Sequence, residues 1–339
     1  MTEHSISERV FRSSRHTTAY LESGPADGPL LVFVHGWPAL SIMWRAQLEH
    51  FGALGYRCVA PDMRAYGGSS VPVRHDEYAI ELVVEDMVEL LRGLGAERAV
   101  WIGHDWGGPV VWAIAANHPE LCRGVVSLCV PYFAAGFAPE TLVPLVDRTI
   151  YPEAKYPAGQ WDYQLFYQTS FDAAAKAFEA DLPATFKALF RRGDAREKGR
   201  PALTARISRD GGWFGGAGRA PDLPRDPAVL SEDDLARYVA AFERTGFSGA
   251  DAWYVNPARN MAYAARAPHG GRLTLPVLFL HAAYDTICET VDSRLAEPMR
   301  RDCADLTERV LETGHWIVQE QPAQVTAAIE AWMHERAES

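Results

Sequence analysis

An aspartate stands among glycines in residues 103–108, whose sequence is GHDWGG. A strand-like run, residues 99–103, precedes this segment, and a helix-like segment, residues 108–117, follows it. Small flanking residues permit a sharp strand-to-helix turn, and such a turn presents its central side chain at the carboxyl end of a sheet. The pattern therefore predicts that Asp105 is a nucleophile, whose attack would leave an ester that water can cleave.

Two later residues extend Asp105 to a catalytic triad. Asp285 follows the strand-like run 277–281, and His315 lies in residues 314–316 (GHW), after a predicted last strand at 308–311. Nucleophile, acid and histidine in this chain order fit one kind of strand–turn–helix hydrolase site. Asp292 and Asp302 are neighbouring carboxylates, but their positions within or after the next helix favour Asp285 as the acid.

Residues 35–38 (HGWP) also follow a strand-like run, residues 30–35. A loop at this place can donate a backbone N–H to an oxyanion, so we assign one donor to Trp37 and its partner to Trp106. The helix that starts after Asp105 adds its positive end, which favours an ionised carboxylate. The side chains of Trp37, Trp106 and Phe166 are candidates for the pocket lining, although core packing is nearly as good an interpretation for the two tryptophans.

The elements that must position these residues alternate along the chain. Further strand-like runs are residues 57–60 and 125–130, and helix-like segments are residues 78–94, 291–299 and 323–335. Between residues 134 and 267 strong strand signals are absent, and aromatic helical pieces take their place, at 163–170, 171–190 and 231–245. We therefore predict an α/β protein with a doubly wound, mostly parallel sheet and an inserted helical cap. The predicted core is 1–133 and 268–339, and the predicted cap is 134–267.

Together, the segments HGWP, GHDWGG, the late aspartate and GHW resemble the epoxide hydrolases of the α/β-hydrolase fold, specifically the hydrolase domain of the soluble enzymes. Two segments of the predicted cap sharpen the resemblance, residues 161–165 (WDYQL) and residues 245–254 (TGFSGADAWY). By position, the resemblance implies that Tyr163 and Tyr254 are the ring-opening tyrosines. It covers roughly residues 16–334. One departure is the pair Ala282-Ala283, where relatives often have a glycine, and we expect little effect.

The resemblance implies conversion of an epoxide to a vicinal diol through an aspartyl ester. Two phenols, which ordinarily stay protonated at neutral pH, can donate to the ring oxygen as it becomes an alkoxide. The alternative donors in the cap are Tyr151, Tyr156 and Tyr167.

Three other functions are alternatives to epoxide hydrolysis. A haloalkane or haloacid dehalogenase shares the aspartate elbow, but a halide leaves without protonation and needs no paired tyrosines. A ligand receptor with little turnover is disfavoured by the intact triad. A serine esterase is disfavoured because no serine occupies the elbow.

The composition indicates which partners, cofactors and cellular location to expect. The formal net charge of −11 argues against a nucleic-acid surface, which needs clustered Lys and Arg. The five cysteines are scattered without a CxxC pair, so we expect neither disulfides nor a metal or other cofactor, and a reducing cytoplasm fits best. Residues 1–15 are polar and the apolar runs are strand-sized, so no leader or membrane span is expected. The expected partners are a small apolar epoxide and water, with a homodimer possible.

His35, His104 and His281 are interpreted as structural, and Arg191-Arg192 as a solvated helix end.

Overall fold

The computed structural model describes residues 5–337, and within them the chain builds one eight-stranded sheet. The spatial order is β1-β2-β4-β3-β5-β6-β7-β8; β1 and β2 pair antiparallel to their neighbours, and all later pairs are parallel. The predicted doubly wound, mostly parallel sheet is confirmed. The strands are β1 (Ser7–Arg12), β2 (Thr17–Ser23), β3 (Leu30–Val34), β4 (Arg57–Pro61), β5 (Ala99–His104), β6 (Cys122–Leu128), β7 (Leu273–Ala282) and β8 (Cys303–Leu311).

Helices cover both faces of the sheet, so the central strands are buried and read as continuous apolar runs. All five residues of β3 are buried. The helix over residues 80–93 buries one apolar face at 3–4-residue spacing, including Val83, Val84, Met87 and Leu91. The helices that pack around the sheet are α1 (Arg45–Ala53), α2 (Ile80–Gly93) and α3 (Gly107–Asn117), and, after β7, α10 (Glu297–Asp302), α11 (Ile317–Glu320) and α12 (Pro322–Ala337).

Between β6 and β7 the described chain is helical, with short 3₁₀ turns and no strand. Its helices are α4 (Pro139–Leu142), α5 (Asp162–Glu179), α6 (Leu182–Leu189), α7 (Glu232–Thr245), α8 (Ser248–Asp251) and α9 (Pro257–Ala264). The break expected near residue 170 is present as a non-helical Ser170 inside α5. A further break precedes α6, whose first turn is capped by the Asp181 carboxylate accepting from the Ala184 N–H.

Two element predictions need correction. The helix predicted at 291–299 starts later, at Glu297, because side chains occupy the backbone donors before it: the Glu289 carboxylate accepts from the N–H groups of Val291 and Asp292. Strands β1 and β2 were not predicted, because neither carries a continuous buried apolar run: β1 is the largely exposed edge strand, and β2 has buried residues interspersed with partly exposed ones. The predicted core boundaries at residues 1 and 339 fall outside the described residues.

Two global expectations can be compared with the structure. All five cysteines are free and buried. In the described part of the chain, each helix is too short or too polar to cross a bilayer.

Candidate active site

Asp105 lies at the sharp turn between β5 and α3. Its φ of 51° places it in the left-handed region, which a non-glycine residue adopts under strain. The turn is tight because two glycines allow backbones to touch: a Cβ on Gly103 would lie 2.2 Å from the Gly107 carbonyl oxygen. A Cβ on Gly107 would lie 2.1 Å from the Val34 carbonyl oxygen. The sequence thus folds into a nucleophile elbow, and this geometry presents the Asp105 carboxylate at the carboxyl end of the sheet.

Asp285 holds the imidazole of His315 from the loop that follows β7. Its Oδ2 lies 2.7 Å from His315 Nδ1, and its Oδ1 accepts from the N–H groups of Ile287 and Cys288 at 2.9 and 3.0 Å. Burial alone would raise the pKa of Asp285, but the histidine and the two N–H donors outweigh it and lower that pKa. Asp285 therefore stays ionised and keeps Nδ1 of His315 as a donor.

The other face of the imidazole points to Asp105, with His315 Nε2 3.5 Å from Asp105 Oδ2. Burial works to lower the pKa of His315, but the carboxylates of Asp285 and Asp105 raise it well above its ordinary value. His104 supports this arrangement, since its Nε2 donates to the His315 carbonyl oxygen at 2.7 Å, while burial lowers the pKa of His104 to about 4. The two carboxylates therefore favour the protonated form of the histidine.

The loop after β3 also contacts the Asp105 carboxylate. The backbone N–H of Trp37 donates to Asp105 Oδ1 at 2.6 Å. A Cβ on Gly36 would come within 2.3 Å of that oxygen and 2.4 Å of the Trp106 backbone nitrogen, so only glycine fits there. The backbone N–H of Trp37, one of the two predicted oxyanion donors, thus contacts the carboxylate. The backbone nitrogen of Trp106, the other predicted donor, lies beside the same Gly36 position.

Both predicted cap tyrosines line the cleft that contains Asp105 and His315. Tyr163 comes from the first turn of α5 and Tyr254 from the 3₁₀ turn after α8, and their ring centroids are 5.5 Å apart at an interplanar angle of 73°. Burial raises the pKa of both phenols well above its ordinary value, and the Asp105 charge adds to this for Tyr254. Two tyrosines with raised pKa values therefore line the same cleft as the Asp105 carboxylate.

Comparison with known proteins agrees with this geometry. The α/β hydrolase fold family matches residues 29–322. Epoxide hydrolase A of Mycobacterium tuberculosis (strain ATCC 25618 / H37Rv) is 33% identical over 327 residues, which cover 95% of this chain and 95% of that protein. The chain belongs to the epoxide hydrolase family of the α/β-hydrolase fold. The resemblance drawn from its motifs is confirmed, and the protein is a hydrolase.

Other members of the epoxide hydrolase family match over similar lengths. Bifunctional epoxide hydrolase 2 of Sus scrofa is 32% identical over 316 residues, or 93% of this chain, but the chain spans only about half (52%) of that protein's length. Among solved structures, an epoxide hydrolase from an endophytic Streptomyces superposes with a TM-score of 0.80 at 28% identity, covering 98% of this chain and 97% of that one. Epoxide hydrolase A from Mycobacterium thermoresistibile superposes with a TM-score of 0.76 at 29% identity, covering 97% of this chain and 98% of that one.

The cleft of this family member holds about 450 Å³. Of the predicted pocket side chains, Trp37 lines it, whereas Trp106 and Phe166 are not among its lining residues. Trp106 instead borders a separate apolar cavity of about 40 Å³ between α3 and α9, and Phe166 packs beside Gly212, where an added Cβ would lie 3.3 Å from its ring. Trp213, from the glycine-rich stretch, takes a place in the cleft wall.

The alternative donors lie elsewhere. Tyr151, Tyr156 and Tyr167 are absent from the cleft lining. The Tyr151 hydroxyl accepts from the Ala202 N–H at 3.1 Å, and the Tyr156 ring lies under the Lys155 ammonium. Of the five tyrosines considered as donors, Tyr163 and Tyr254 are thus the two that line the cleft with Asp105.

Two arginines line the cleft, which sequence reasoning did not predict. Arg191 and Arg192 are exposed just after α6, in agreement with their interpretation as a solvated helix end, and they also border the cleft together with Asp194. Arg192 lies 3.6 Å from the Asp226 carboxylate, so its charge is partly balanced. A signal was present in the sequence, since the two arginines follow a cap helix with an aromatic face, but their direction depends on how the cap folds back.

One group of possible metal ligands lies inside the triad. Ligand atoms of His104, Cys129 and His315 fall within 4.8 Å of one another. Burial raises the pKa of the Cys129 thiol to about 12, so it is a neutral and poor ligand, and His315 is held by Asp285. His104 and Cys129 instead donate hydrogen bonds to the His315 carbonyl oxygen.

Proposed function

We propose that this chain hydrolyses epoxides to vicinal diols through a covalent ester on Asp105. The observation that carries the proposal is a single cleft lined by the carboxylate at the elbow, by a histidine 3.5 Å from it and by two tyrosines whose rings contact each other. Sequence similarity to proteins named epoxide hydrolases over 93–95% of the chain supports it.

In the first half-reaction, an Asp105 oxygen attacks a ring carbon. A C–O bond forms to the carboxylate while the strained C–O bond of the epoxide breaks, and its electron pair moves to the ring oxygen. Tyr163 and Tyr254 stabilise that oxygen by donating hydrogen bonds, and one of them gives it a proton. The raised pKa values of both phenols mean that the donors are protonated at neutral pH before each turnover.

In the second half-reaction, water cleaves the ester. Esterification removes the Asp105 charge that helped to raise the pKa of His315, so the imidazole passes its proton to the tyrosinate left by the first half-reaction and becomes a base. It takes a proton from water, which attacks the ester carbonyl, and Asp285 stabilises the cation that forms. The N–H groups of Trp37 and Trp106 would hold the tetrahedral oxyanion.

The helical segment is the proposed cap. We propose the division into a core of residues 1–133 and 268–339 and a cap of residues 134–267, because the cap supplies both tyrosines and the core supplies Asp105, Asp285 and His315. Closing the cleft with apolar cap side chains would exclude bulk water during the first step.

The proposed substrate is a small apolar epoxide, because Trp37, Trp213 and the two tyrosine rings form much of the cleft wall. A cytoplasmic location is proposed from the free, buried cysteines. A homodimer also remains a proposal.

The decisive test is turnover of a small epoxide panel, with chiral analysis of the products. We expect diols from the wild type and none from Asp105→Ala. Repeated cycles in oxygen-18 water should label the Asp105 carboxyl group, since each ester is cleaved at its carbonyl carbon. Halide release from haloalkanes without diol formation would assign the chain to the dehalogenases instead.

A further inference from the structure

A carboxyl group that the proposed mechanism does not use lies fully buried beside the active site. Asp251 ends α8 and is 0% exposed. Its Oδ1 accepts from the indole Nε1 of Trp37 at 2.9 Å, and its Oδ2 has no hydrogen-bond partner that meets normal geometry. Buried carboxylates without partners are rare, so this one needs an explanation.

No cation balances Asp251. In the described chain, the titratable groups that face it or interact with it electrostatically are Tyr167, Tyr66 and Glu179, and none of them carries positive charge. Burial raises the pKa of Asp251 well above its ordinary value, although the Trp37 and Tyr167 hydrogen-bonding groups oppose this. An unpaired charge in this place would be very costly, whereas a neutral carboxylic acid is not.

Asp251 joins two parts of the active site. On one side is Trp37, whose backbone N–H contacts Asp105 and whose indole ring packs at 6.1 Å and 80° against the Tyr254 ring. On the other side is Tyr167, which stacks on Tyr254 with centroids 4.6 Å apart and an angle of 12°. A single side chain therefore interacts with two of the aromatic neighbours of the Tyr254 ring, which also packs against Trp106 and Tyr163.

We propose that Asp251 is a positioning residue: a neutral carboxylic acid that holds the Trp37 indole and the Tyr167 hydroxyl, and so places the Trp37 N–H and the Tyr254 phenol over the nucleophile. Oδ1 accepts from the indole. The proton on Oδ2 would be donated to the Tyr167 hydroxyl oxygen, which like Oδ2 has no other hydrogen-bond partner among the described residues. The kinetic part of this proposal rests on the proposed epoxide hydrolysis, and the spectroscopic part does not.

The kinetic test compares Asp251→Leu with Asp251→Asn. Leucine has a similar size but accepts no hydrogen bond, so the buried indole N–H of Trp37 loses its partner. We therefore expect kcat for diol formation to fall about tenfold, with KM little changed. Asparagine keeps the acceptor oxygen and mimics a neutral acid, so it should restore most of kcat. Because Asp251 is already neutral, the pH profile of Asp251→Asn should overlay that of the wild type between about pH 6 and 9.

An infrared measurement tests the neutral acid without any turnover. The wild type should show the carbonyl band of a protonated, buried carboxyl group near neutral pH, and Asp251→Asn should lose it. Asp285→Asn is the matched control: Asp285 is equally buried but has a lowered pKa, so its replacement should leave the band in place.

Three results would overturn the proposal: an unchanged infrared band in Asp251→Asn, wild-type kcat in Asp251→Leu, or an Asp251→Asn enzyme as slow as the leucine variant. If Asp251→Leu does not fold, Trp37→Phe removes the same hydrogen bond from its other end and should give the same fall in kcat. If the chain turns over no epoxide at all, the proposed function fails, while the infrared band still decides whether Asp251 is a neutral acid.

Discussion

Replacement of the two cap tyrosines by phenylalanine tests the acid half of the proposed mechanism. Tyr163 and Tyr254 are 8% and 5% exposed, so their hydroxyl groups act in a site from which most water is excluded. One donor to a developing oxyanion in such a site contributes about 3 kcal/mol, or about 100-fold in kcat. We therefore expect each single variant to lose about that factor. Since both donors serve one oxygen, the double variant should fall to background.

The assay is single-turnover formation of the Asp105 ester, followed by its hydrolysis. Only ester formation should slow in the tyrosine variants, because the second half-reaction uses His315 and water. Tyr238→Phe is the matched control: Tyr238 is a buried tyrosine of the helical segment that does not line the cleft. A double variant that forms diol at nearly the wild-type rate would refute the role of both phenols.

Three more expectations follow from the same contacts. His315→Gln should trap the ester, visible by mass spectrometry as substrate mass on the Asp105 peptide; an unmodified peptide after incubation would argue against covalent catalysis. Asp105→Asn should lower the pKa of His315, because one of the two carboxylates that raise it is lost; NMR titration of the ring measures this, and an unchanged pKa would mean that the 3.5 Å contact carries no charge coupling. Asp86→Asn should cost about 3–5 kcal/mol in unfolding free energy, because it leaves the buried Arg64 guanidinium unpaired; an unchanged denaturant midpoint would contradict this.

The strands of the sheet were predictable where burial on both faces requires a continuous run of apolar residues. The runs that became β3, β5 and β7 were found within a few residues, since helices on either side leave no room for polar side chains. The first two strands were not found. They are held by ladder hydrogen bonds at an antiparallel edge, where side chains meet water and the sequence carries no such run.

The positions of the triad residues were predictable for a different reason. Each of Asp105, Asp285 and His315 follows a strand, and the carboxyl ends of parallel strands meet at one edge, so local order along the chain fixes their meeting place. The cleft wall has no such rule. Phe166 was predicted to line the pocket but Trp213 lines it instead, and which aromatic side chain faces the cleft depends on how the segments between β6 and β7 fold against one another.

Asp251 shows the same limit more sharply. In sequence it is an acidic residue in a short helix next to a glycine and an alanine, a pattern typical of a solvated turn. Its burial arises from contacts with Trp37, over 200 residues earlier, and with Tyr167 in another helix. A polar residue whose partners are that distant in the chain leaves no periodic signal from which its environment could be predicted.

The distribution of charge suits a carboxylate at the elbow. A serine there would need a neutral histidine base for its attack, whereas Asp105 is itself one of the two carboxylates that raise the pKa of His315. Asp105 needs no base for its attack, so the protonated imidazole does no harm in the first step. Ester formation then removes one of the two charges that kept the proton in place, and the histidine becomes a base when a water must be activated. The covalent bond itself thus sets the order of the two half-reactions.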